Sequence, residues 1–247
     1  MKFFMASLLC FFCWNPGLSH GGERFETDII PTADAELKIT FIGHATLFVE
    51  YSGKVIHIDP WTNLADYSKL PKADLILITH EHQDHFDKKA IEQLTKEKTE
   101  VVCTESIAKE LSDTKVRILR NNESTEVYGM LIEAIPSYNI LHKRQDGKPF
   151  HPQGRGNGYI LNIAGKRVLI GGDTENTVEL KKQENIDIAF LPMNLPYTMT
   201  PEMVAEVAIA IKPKILYPYH FGETDTGKLV KLLKNHSEIE IRIRKMQ

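Results

Sequence analysis

One short segment, residues 79–85, constrains this chain more than any other part of it. It reads Thr-His-Glu-His-Gln-Asp-His and places three imidazoles and a carboxylate at His80, His82, Asp84 and His85. It directly follows residues 74–78, a continuous apolar run typical of a strand covered on both faces. Burying several polar groups together is costly unless something binds them. Because imidazole and carboxylate ligands suit zinc, manganese or iron(II), the segment predicts a metal site at the end of a buried strand.

Apolar runs broken by glycine, proline and aspartate predict an α/β chain. Strand-like runs cover residues 37–42, 45–51, 55–58, 74–78, 101–104, 116–119, 125–135, 159–163, 167–170, 186–191, 215–219 and 239–243. Helical spacing predicts helices from Lys88, over 201–211 after the N-cap Thr200, and from Thr226. Two strand-rich blocks, each followed by alternating helix and strand, predict two mixed sheets packed face to face with helices outside. Polar residues at strand ends should then meet at one rim.

The N-terminal residues predict export. Lys2 precedes an apolar run over residues 3–14, which breaks at Asn15-Pro16-Gly17 as in a secretory signal. A run of about twelve apolar residues is too short to span a bilayer, which needs about twenty. We predict a signal peptide over 1–19, an N-terminal linker over 20–36 and one folded domain over 37–247. The mature protein is expected to be periplasmic or secreted, with an uncleaved anchor as the alternative.

The composition limits the expected partners. The net charge of −3 is made up of scattered charges of both signs, which gives no basic field for nucleic acid. We expect a small-molecule substrate, no nucleic acid and no stable membrane insertion of the mature chain. Once residues 1–19 are removed, Cys103 is the single cysteine left. It lies in a strand-like run, so we expect a buried thiol and no disulfide.

Further motifs flank the histidine cluster. Gly43-His44-Ala45-Thr46 and Ile58-Asp59-Pro60 precede it, and Gly171-Gly172-Asp173-Thr174 and Pro218-Tyr219-His220-Phe221-Gly222 follow it. With its HxHxDH signature, the chain from Leu37 onward resembles the metallo-β-lactamase superfamily. It looks most similar to the branch that includes ascorbate-6-phosphate lactonase and N-acyl phosphatidylethanolamine phospholipase D. The resemblance implies the metallo-β-lactamase fold, a four-layer αββα sandwich.

The resemblance also implies two divalent metal ions, with zinc expected and manganese or iron as alternatives. His80 and His82 would bind the first metal with a third histidine. Asp84, His85 and His220 would bind the second, and Asp173 would bridge the two.

The identity of the third histidine is the open point in this set. The phospholipase-like branch has a histidine ligand where this chain has Asn139. His151, ahead of a glycine-rich run, and His142, in a charged loop, are the candidates, and we predict His151.

Four residues are candidates for supporting roles. Asp59 either accepts a hydrogen bond from a ligand histidine or forms a turn before Pro60. His44 either points into the site or caps a hydrogen-bond network. Asn139 and Asn157 either contact substrate or have loop and capping roles.

The resemblance implies hydrolysis by a metal-bridged hydroxide. Two cations that share a water lower its pKa towards about 7, so no serine or cysteine nucleophile is needed. Asp84 and Asp173 would be the catalytic residues that orient this hydroxide. We expect an exported hydrolase that cleaves a small ester, lactone, amide or phosphodiester. The alternatives are a phospholipase or phosphodiesterase-like enzyme, a non-catalytic metal- or ligand-binding protein on the same fold, and a di-iron redox protein.

Overall fold

The computed structural model describes residues 19–20, 23–111 and 115–247. The strands of this part of the chain are β1 (Ser19–His20), β2 (Glu23–Arg24), β3 (Glu26–Pro31), β4 (Glu36–Gly43), β5 (Thr46–Tyr51), β6 (Lys54–Ile58), β7 (Leu75–Leu77), β8 (Glu100–Cys103), β9 (Lys115–Ile118), β10 (Ser124–Val127), β11 (Met130–Ser137), β12 (Gly156–Ile163), β13 (Lys166–Ile170), β14 (Ile188–Pro192), β15 (Ile215–Tyr219) and β16 (Glu240–Ile241). The predicted signal peptide, residues 1–19, lies outside the described residues except for Ser19, so cleavage and export stay predictions.

The helices are short. They are α1 (Lys88–Leu94), α2 (Glu105–Ala108), α3 (Val178–Lys181), α4 (Pro201–Ile211) and α5 (Thr226–Leu232), with a 3-10 turn at Tyr67–Lys69. The helix predicted over 201–211 is confirmed, and the Thr200 side chain accepts a hydrogen bond from the Met203 N–H at 3.2 Å as its N-cap. None of the helices in the described residues has the length and apolar character needed to cross a bilayer.

Two seven-stranded mixed sheets form the centre of the fold. One contains β3 to β9 and the other β10 to β16, in chain order. In both sheets the first three pairings are antiparallel and the last three are parallel. The two halves of the chain therefore repeat one topology. The predicted arrangement of two mixed sheets with helices outside is confirmed.

The central strand β7 shows why the sequence before the histidines is so apolar. Leu75 and Leu77 pack into the core between the sheets, whereas Ile76 packs with Ile91 and Leu94 of α1 on the outer face. All of these side chains are buried. A strand covered on both faces needs apolar residues at successive positions.

The predicted linker over 20–36 is wrong, because part of it belongs to the sheet. Residues Glu26–Pro31 form β3, which pairs antiparallel with β4 along its whole length. The side chains of β3 are mostly half-buried, and Ile30 is its one buried residue. An edge strand with so little apolar periodicity gives a weak local signal, since its ladder partner lies further along the chain.

Other differences concern the ends of elements. The run predicted over 125–135 is a hairpin of β10 and β11, with Tyr128 and Gly129 at positive φ in its turn. The closing strand predicted over 239–243 is only Glu240–Ile241. Cys103 is buried, and burial raises the pKa of its thiol to about 12, so it is inert at neutral pH.

The sheets bring the ends of several parallel strands to one rim. The histidine segment follows β7, Asp173 comes shortly after β13, and His220 directly follows β15. Carboxyl ends of parallel strands share one sheet edge, where side chains can converge without interrupting the ladders. This rim holds the candidate site.

Candidate metal centre

The residues predicted as metal ligands meet at this rim. Among the described residues, three groups have possible ligand atoms that all lie within 4.8 Å of one another. They are His80, His82 and His151; His44, Asp84, His85 and His220; and His80, His85 and Asp173. The first group corresponds to the ligand set implied for the first metal. The second contains the set implied for the second metal, with His44 in addition.

A tight turn after β7 directs the clustered side chains to one side. The backbone N–H groups of His85 and Phe86 both donate to the His82 carbonyl, at 3.0 and 2.8 Å. Asp87 then caps α1 by accepting hydrogen bonds from the backbone N–H groups of Lys89 and Ala90. The chain thus reverses within the motif, and His80 Nε2 comes within 3.1 Å of His82 Nδ1.

Asp173 lies between the histidines of the two halves. Its Oδ2 is 3.1 Å from His151 Nε2 and 3.5 Å from His220 Nε2, and its Oδ1 is 3.4 Å from His85 Nε2. Asp173 can take this position because the residue before it is a glycine. The φ of Gly172 is +63°, and a Cβ added there would lie 2.8 Å from the Asn157 carbonyl oxygen. A larger residue at position 172 would therefore clash with the backbone of β12.

Three site residues at strand ends have left-handed backbone conformations. The φ angles of His44, Asp59 and His220 are 52°, 45° and 46°. Such angles are uncommon outside glycine, and where they persist they cluster at functional sites. Here each one turns the chain sharply at the rim.

Asp59 accepts hydrogen bonds behind the site. It is fully buried, and its Oδ2 lies 2.8 Å from His85 Nδ1. The same carboxylate accepts hydrogen bonds from the backbone N–H and hydroxyl of Thr79, at 2.8 and 2.7 Å. With its Nδ1–H donated to Asp59, His85 presents Nε2 to the site. Of the two roles weighed for Asp59, the structure shows the contact with a histidine.

The loop histidine that joins the first group is His151. Its Nδ1 lies 2.8 Å from the Asn139 side-chain oxygen, which also accepts the His151 backbone N–H at 2.7 Å. The Asn139 amide in turn donates to Glu175 at 3.0 Å. His142 points elsewhere, with its Nδ1 2.9 Å from Glu175 Oε1. Asn139, which stands where a histidine ligand was expected, therefore holds the histidine that reaches the group.

His44 faces the site. Its Nε2 lies 3.1 Å from Asp84 Oδ2, and its ring centroid is 3.7 Å from that of His220. His57, by contrast, is buried on the outer face of the first sheet, where it stacks on Phe48 and lies 2.9 Å from the Pro71 carbonyl oxygen.

Asn157 does not line the pocket above these ligands, and of the two roles weighed for it the structure shows contacts with neighbouring loop residues. Its side-chain amide donates to the Leu119 carbonyl at 2.7 Å, and its oxygen accepts from Asn121 at 2.6 Å. The residue is buried and links β12 to the segment after β9. Its position next to a glycine-rich run could not reveal this, because both partners lie distant in sequence.

Burial and neighbouring charges shift the pKa values of several residues in the site. Burial alone would lower the pKa of His85, but the carboxylates of Asp173 and Asp59 raise it to about 9. Burial lowers the pKa of His80, helped by the neighbouring His85. Burial raises the pKa of Asp173, but the charges of His220 and His85 outweigh this and hold it well below its usual value. The buried carboxylates of Asp173 and Asp59 therefore favour a positive charge at the centre, which a bound cation can supply.

The donor set fits a metal centre. His85 Nε2, His220 Nε2 and Asp173 Oδ1 are buried side-chain atoms without a hydrogen-bond partner among the described residues. Buried polar atoms are normally satisfied, and an unsatisfied group calls for an explanation such as an ion. Imidazole and carboxylate donors at this spacing suit a divalent transition metal.

Comparison with known families decides the assignment. Residues 38–220 match the model of the β-lactamase superfamily domain. The chain belongs to the β-lactamase superfamily.

Three known proteins show what this chain is similar to. A UPF0173 metal-dependent hydrolase of Ligilactobacillus salivarius is 31% identical over 196 residues, which cover 75% of this chain and 85% of that protein. A proposed metal-dependent hydrolase from Parabacteroides distasonis, known from a crystal structure, is 46% identical with a TM-score of 0.85, over 90% of this chain and 100% of that one. Igni18, a metallo hydrolase of Ignicoccus hospitalis, is 24% identical with a TM-score of 0.71 over 85% and 95% of the two chains, and shows the fold alone.

A pocket of about 510 Å³ opens above the ligands of this β-lactamase superfamily member. Besides six of the predicted residues, it is lined by Trp61, Gln83, Arg144, Phe150, Asn194 and Tyr197. Sequence reasoning missed most of these residues, since they come from loops without periodicity. The one usable signal was that the charged loop with Arg144 runs between Asn139 and His151.

Proposed function

We propose that this protein is a hydrolase that binds two divalent metal ions, with zinc expected, and cleaves a small ester, lactone, amide or phosphodiester. The observation that carries the proposal is the arrangement of two ligand groups with Asp173 between them. The unpartnered buried atoms on His85, His220 and Asp173 support it. The relatives described as metal-dependent hydrolases support the same reaction class.

Each ligand would have a defined part. His80, His82 and His151 would hold one metal, Asp84, His85 and His220 the other, and Asp173 would contact both. When bound, such ions lower the pKa of a coordinated water to about 7 and polarise the oxygen of the group under attack. Asp59 and Asn139 orient His85 and His151, so that both histidines offer Nε2.

Asp84 is a residue that we assign to orienting the nucleophile. Its side chain is 32% exposed and lines the pocket. Burial raises its pKa, but the neighbouring imidazoles of His220 and His44 lower it below its usual value. The carboxylate therefore stays ionised at neutral pH, where it can orient a nucleophile by accepting a hydrogen bond from it.

The pocket favours a small substrate. Its volume of about 510 Å³ falls within the range of small-molecule sites. Trp61, Phe150 and Tyr197 line it with aromatic rings, and the imidazoles and carboxylates of the candidate site line it as well.

The test is metal content combined with turnover. Metal per chain would be measured by mass spectrometry on protein reconstituted with zinc, manganese or iron, alongside hydrolysis of lactone, ester, phosphodiester and β-lactam substrates. We expect two metals per chain and activity that chelation abolishes. Asp84→Ala should lose one metal and at least about a hundredfold in kcat, whereas the exposed Asp34→Ala should match the parent.

Other results would overturn the proposal. One metal per chain, or full turnover by Asp84→Ala, would remove the dinuclear mechanism. Two metals without hydrolysis of any substrate would favour a binding protein, and two irons without hydrolysis would favour a redox protein.

A further inference from the structure

The loop over residues 140–150 is fastened to the third histidine of the site. The Asn139 N–H donates to the His151 carbonyl at 2.9 Å, which closes the base of the loop. Glu175 is buried, and its carboxylate accepts hydrogen bonds from the backbone N–H groups of Ile140, Leu141 and His142 at 2.7 to 2.8 Å. These contacts fix the start and base of the loop, from which Arg144 and Phe150 line the pocket.

A turn at the end of this loop presents Arg144. The Arg144 N–H donates to the Lys148 carbonyl at 2.7 Å, and the Gly147 N–H donates to the Arg144 carbonyl at 3.0 Å. Gly147 has a φ of +80°, which suits the turn. The Arg144 guanidinium lies over the Phe150 ring, 5.2 Å from its centroid, and lines the pocket.

Arg144 differs from the other arginines in its charge partners. Among arginines whose side chains the structure describes, the others each have a carboxylate within 4.0 Å: Arg117, Arg120, Arg155, Arg167, Arg242 and Arg244. Arg144 has none among the described residues. Its guanidinium lines the pocket without a carboxylate of the described residues within 4.0 Å, and its Nη2 donates a long hydrogen bond, of 3.4 Å, to the Phe150 carbonyl.

The nearest site residue to this guanidinium is His82. Arg144 Nη2 lies 3.5 Å from His82 Nε2, while His82 Nδ1 lies on the other side, 3.1 Å from His80 Nε2. A His82 that binds metal through Nδ1 carries its proton on Nε2. Arg144 and His82 then both present N–H donors to the same space, an arrangement that suits an oxyanion.

The walls around this position are largely aromatic. Phe150 and Tyr197 meet edge to face with ring centroids 5.0 Å apart, and Trp61 lies beside His44 with ring centroids 5.4 Å apart. Tyr197 is 45% exposed, so its ring is open to a ligand. An apolar group next to an anion would fit these surfaces.

We propose that Arg144 binds a carboxylate or phosphate group of the substrate that is not itself cleaved, while an apolar part of the substrate packs against Trp61, Phe150 and Tyr197. This inference rests on the proposed hydrolase function of the same pocket. It narrows the substrate class to small anionic compounds with an apolar portion.

The test compares paired substrates on metal-loaded protein. The first pair is an aryl ester or lactone with a remote carboxylate, and the same compound with that carboxylate as its neutral methyl ester. The second pair carries a remote phosphate in place of the carboxylate, and its neutral member is the dimethyl ester. The parent protein should have the higher kcat/KM for the anionic members. Arg144→Ala should raise KM for them about 10- to 100-fold and change KM for the neutral members less than about threefold. Lys148→Ala removes a positive charge from the same loop outside the pocket and should leave both unchanged.

A binding measurement separates failure of this inference from failure of the proposed function. Calorimetry would follow binding of phenylpropionate and of phenyl phosphate to the parent, Arg144→Ala and Lys148→Ala proteins, with equal metal content confirmed. Selective loss in Arg144→Ala supports anion recognition even if no substrate is hydrolysed, and the ligand with the larger loss identifies carboxylate or phosphate. Equal binding by all three proteins, or a parent preference for neutral substrates, overturns the inference while leaving the hydrolase proposal standing.

Discussion

At the scale of single residues, Asn139 connects the candidate centre to the loop that follows it. Its side-chain oxygen accepts two hydrogen bonds from His151, and its amide donates to the Tyr197 carbonyl at 2.8 Å. One residue thus orients a histidine of the candidate site and ties the loop base to a pocket wall. Hydrogen-bond partners of ligand histidines fix ring orientation and tautomer, and their loss typically lowers metal affinity about 10- to 100-fold.

Asn139→Ala should weaken the first metal group selectively. Without the oxygen, His151 loses the partner of its Nδ1–H, so we expect metal affinity at this group to fall about 10- to 100-fold with the other group little changed. Competition titration against a chromophoric chelator measures both affinities. The control is Asn176→Ala, which removes a half-buried amide that donates to the exposed Glu206. Two unchanged affinities in Asn139→Ala would contradict the assigned role.

At the scale of elements, the edge strand β3 ties the two ends of the described fold together. Asp28 on β3 lies 2.7 Å from an Arg244 amino nitrogen and 3.1 Å from one of Arg242, and it accepts a hydrogen bond from the Tyr217 hydroxyl. Burial raises the pKa of Asp28, but its bonds to Tyr217 and Arg244 lower it. The strand also covers the edge of β4, which would otherwise be free to pair with another chain.

A chain that begins at Glu36 should be less stable than one that begins at Glu23. The shorter chain lacks β3, so it loses the burial of Ile30 and leaves Tyr217, Arg242 and Arg244 without Asp28. Together these losses should amount to several kcal/mol, which lowers Tm by on the order of 10 °C for a domain of this size. Thermal denaturation and sedimentation would show the lower Tm and increased self-association. Equal Tm values would mean that β3 adds nothing to the fold.

At the scale of the whole molecule, the site joins two halves that repeat one topology. His80, His82, Asp84 and His85 come from the half with β3 to β9, whereas His151, Asp173 and His220 come from the half with β10 to β16. Neither half alone supplies all the ligands implied for the first metal or for the second. Metal binding should therefore connect the two sheets and stabilise the folded chain as a unit.

Removal of metal should lower the melting temperature. A ligand that binds only the native state stabilises it by about 4 kcal/mol when present at a thousand times its Kd, which corresponds to a Tm increase on the order of 10 °C. Calorimetric scans with a chelator and after zinc is added back measure this difference. In Asp84→Ala, added zinc should raise the Tm by only part of this amount. A Tm that does not respond to zinc would show that no metal links the halves.

Local sequence patterns determined much of this protein. The spacing of apolar residues predicted most strands and the helix α4 because side-chain periodicity is set by each element's own geometry. The HxHxDH segment and the later motifs with Asp173 and His220 identified the residues that meet at the rim. These motifs are short, and the turns that orient their side chains form within a few residues, so they can be recognised without the fold.

Only the tertiary structure decided how the remaining residues take part. Whether β3 is a linker or a strand depends on β4, and whether Asn157 faces the pocket or a neighbouring segment depends on Asn121 and Leu119. The partnership of Asn139 with His151 and the position of Arg144 near His82 arise where a loop folds over the other half of the chain. Such contacts join residues far apart in sequence, and no local pattern specifies them, because their geometry is set by how the two sheets pack.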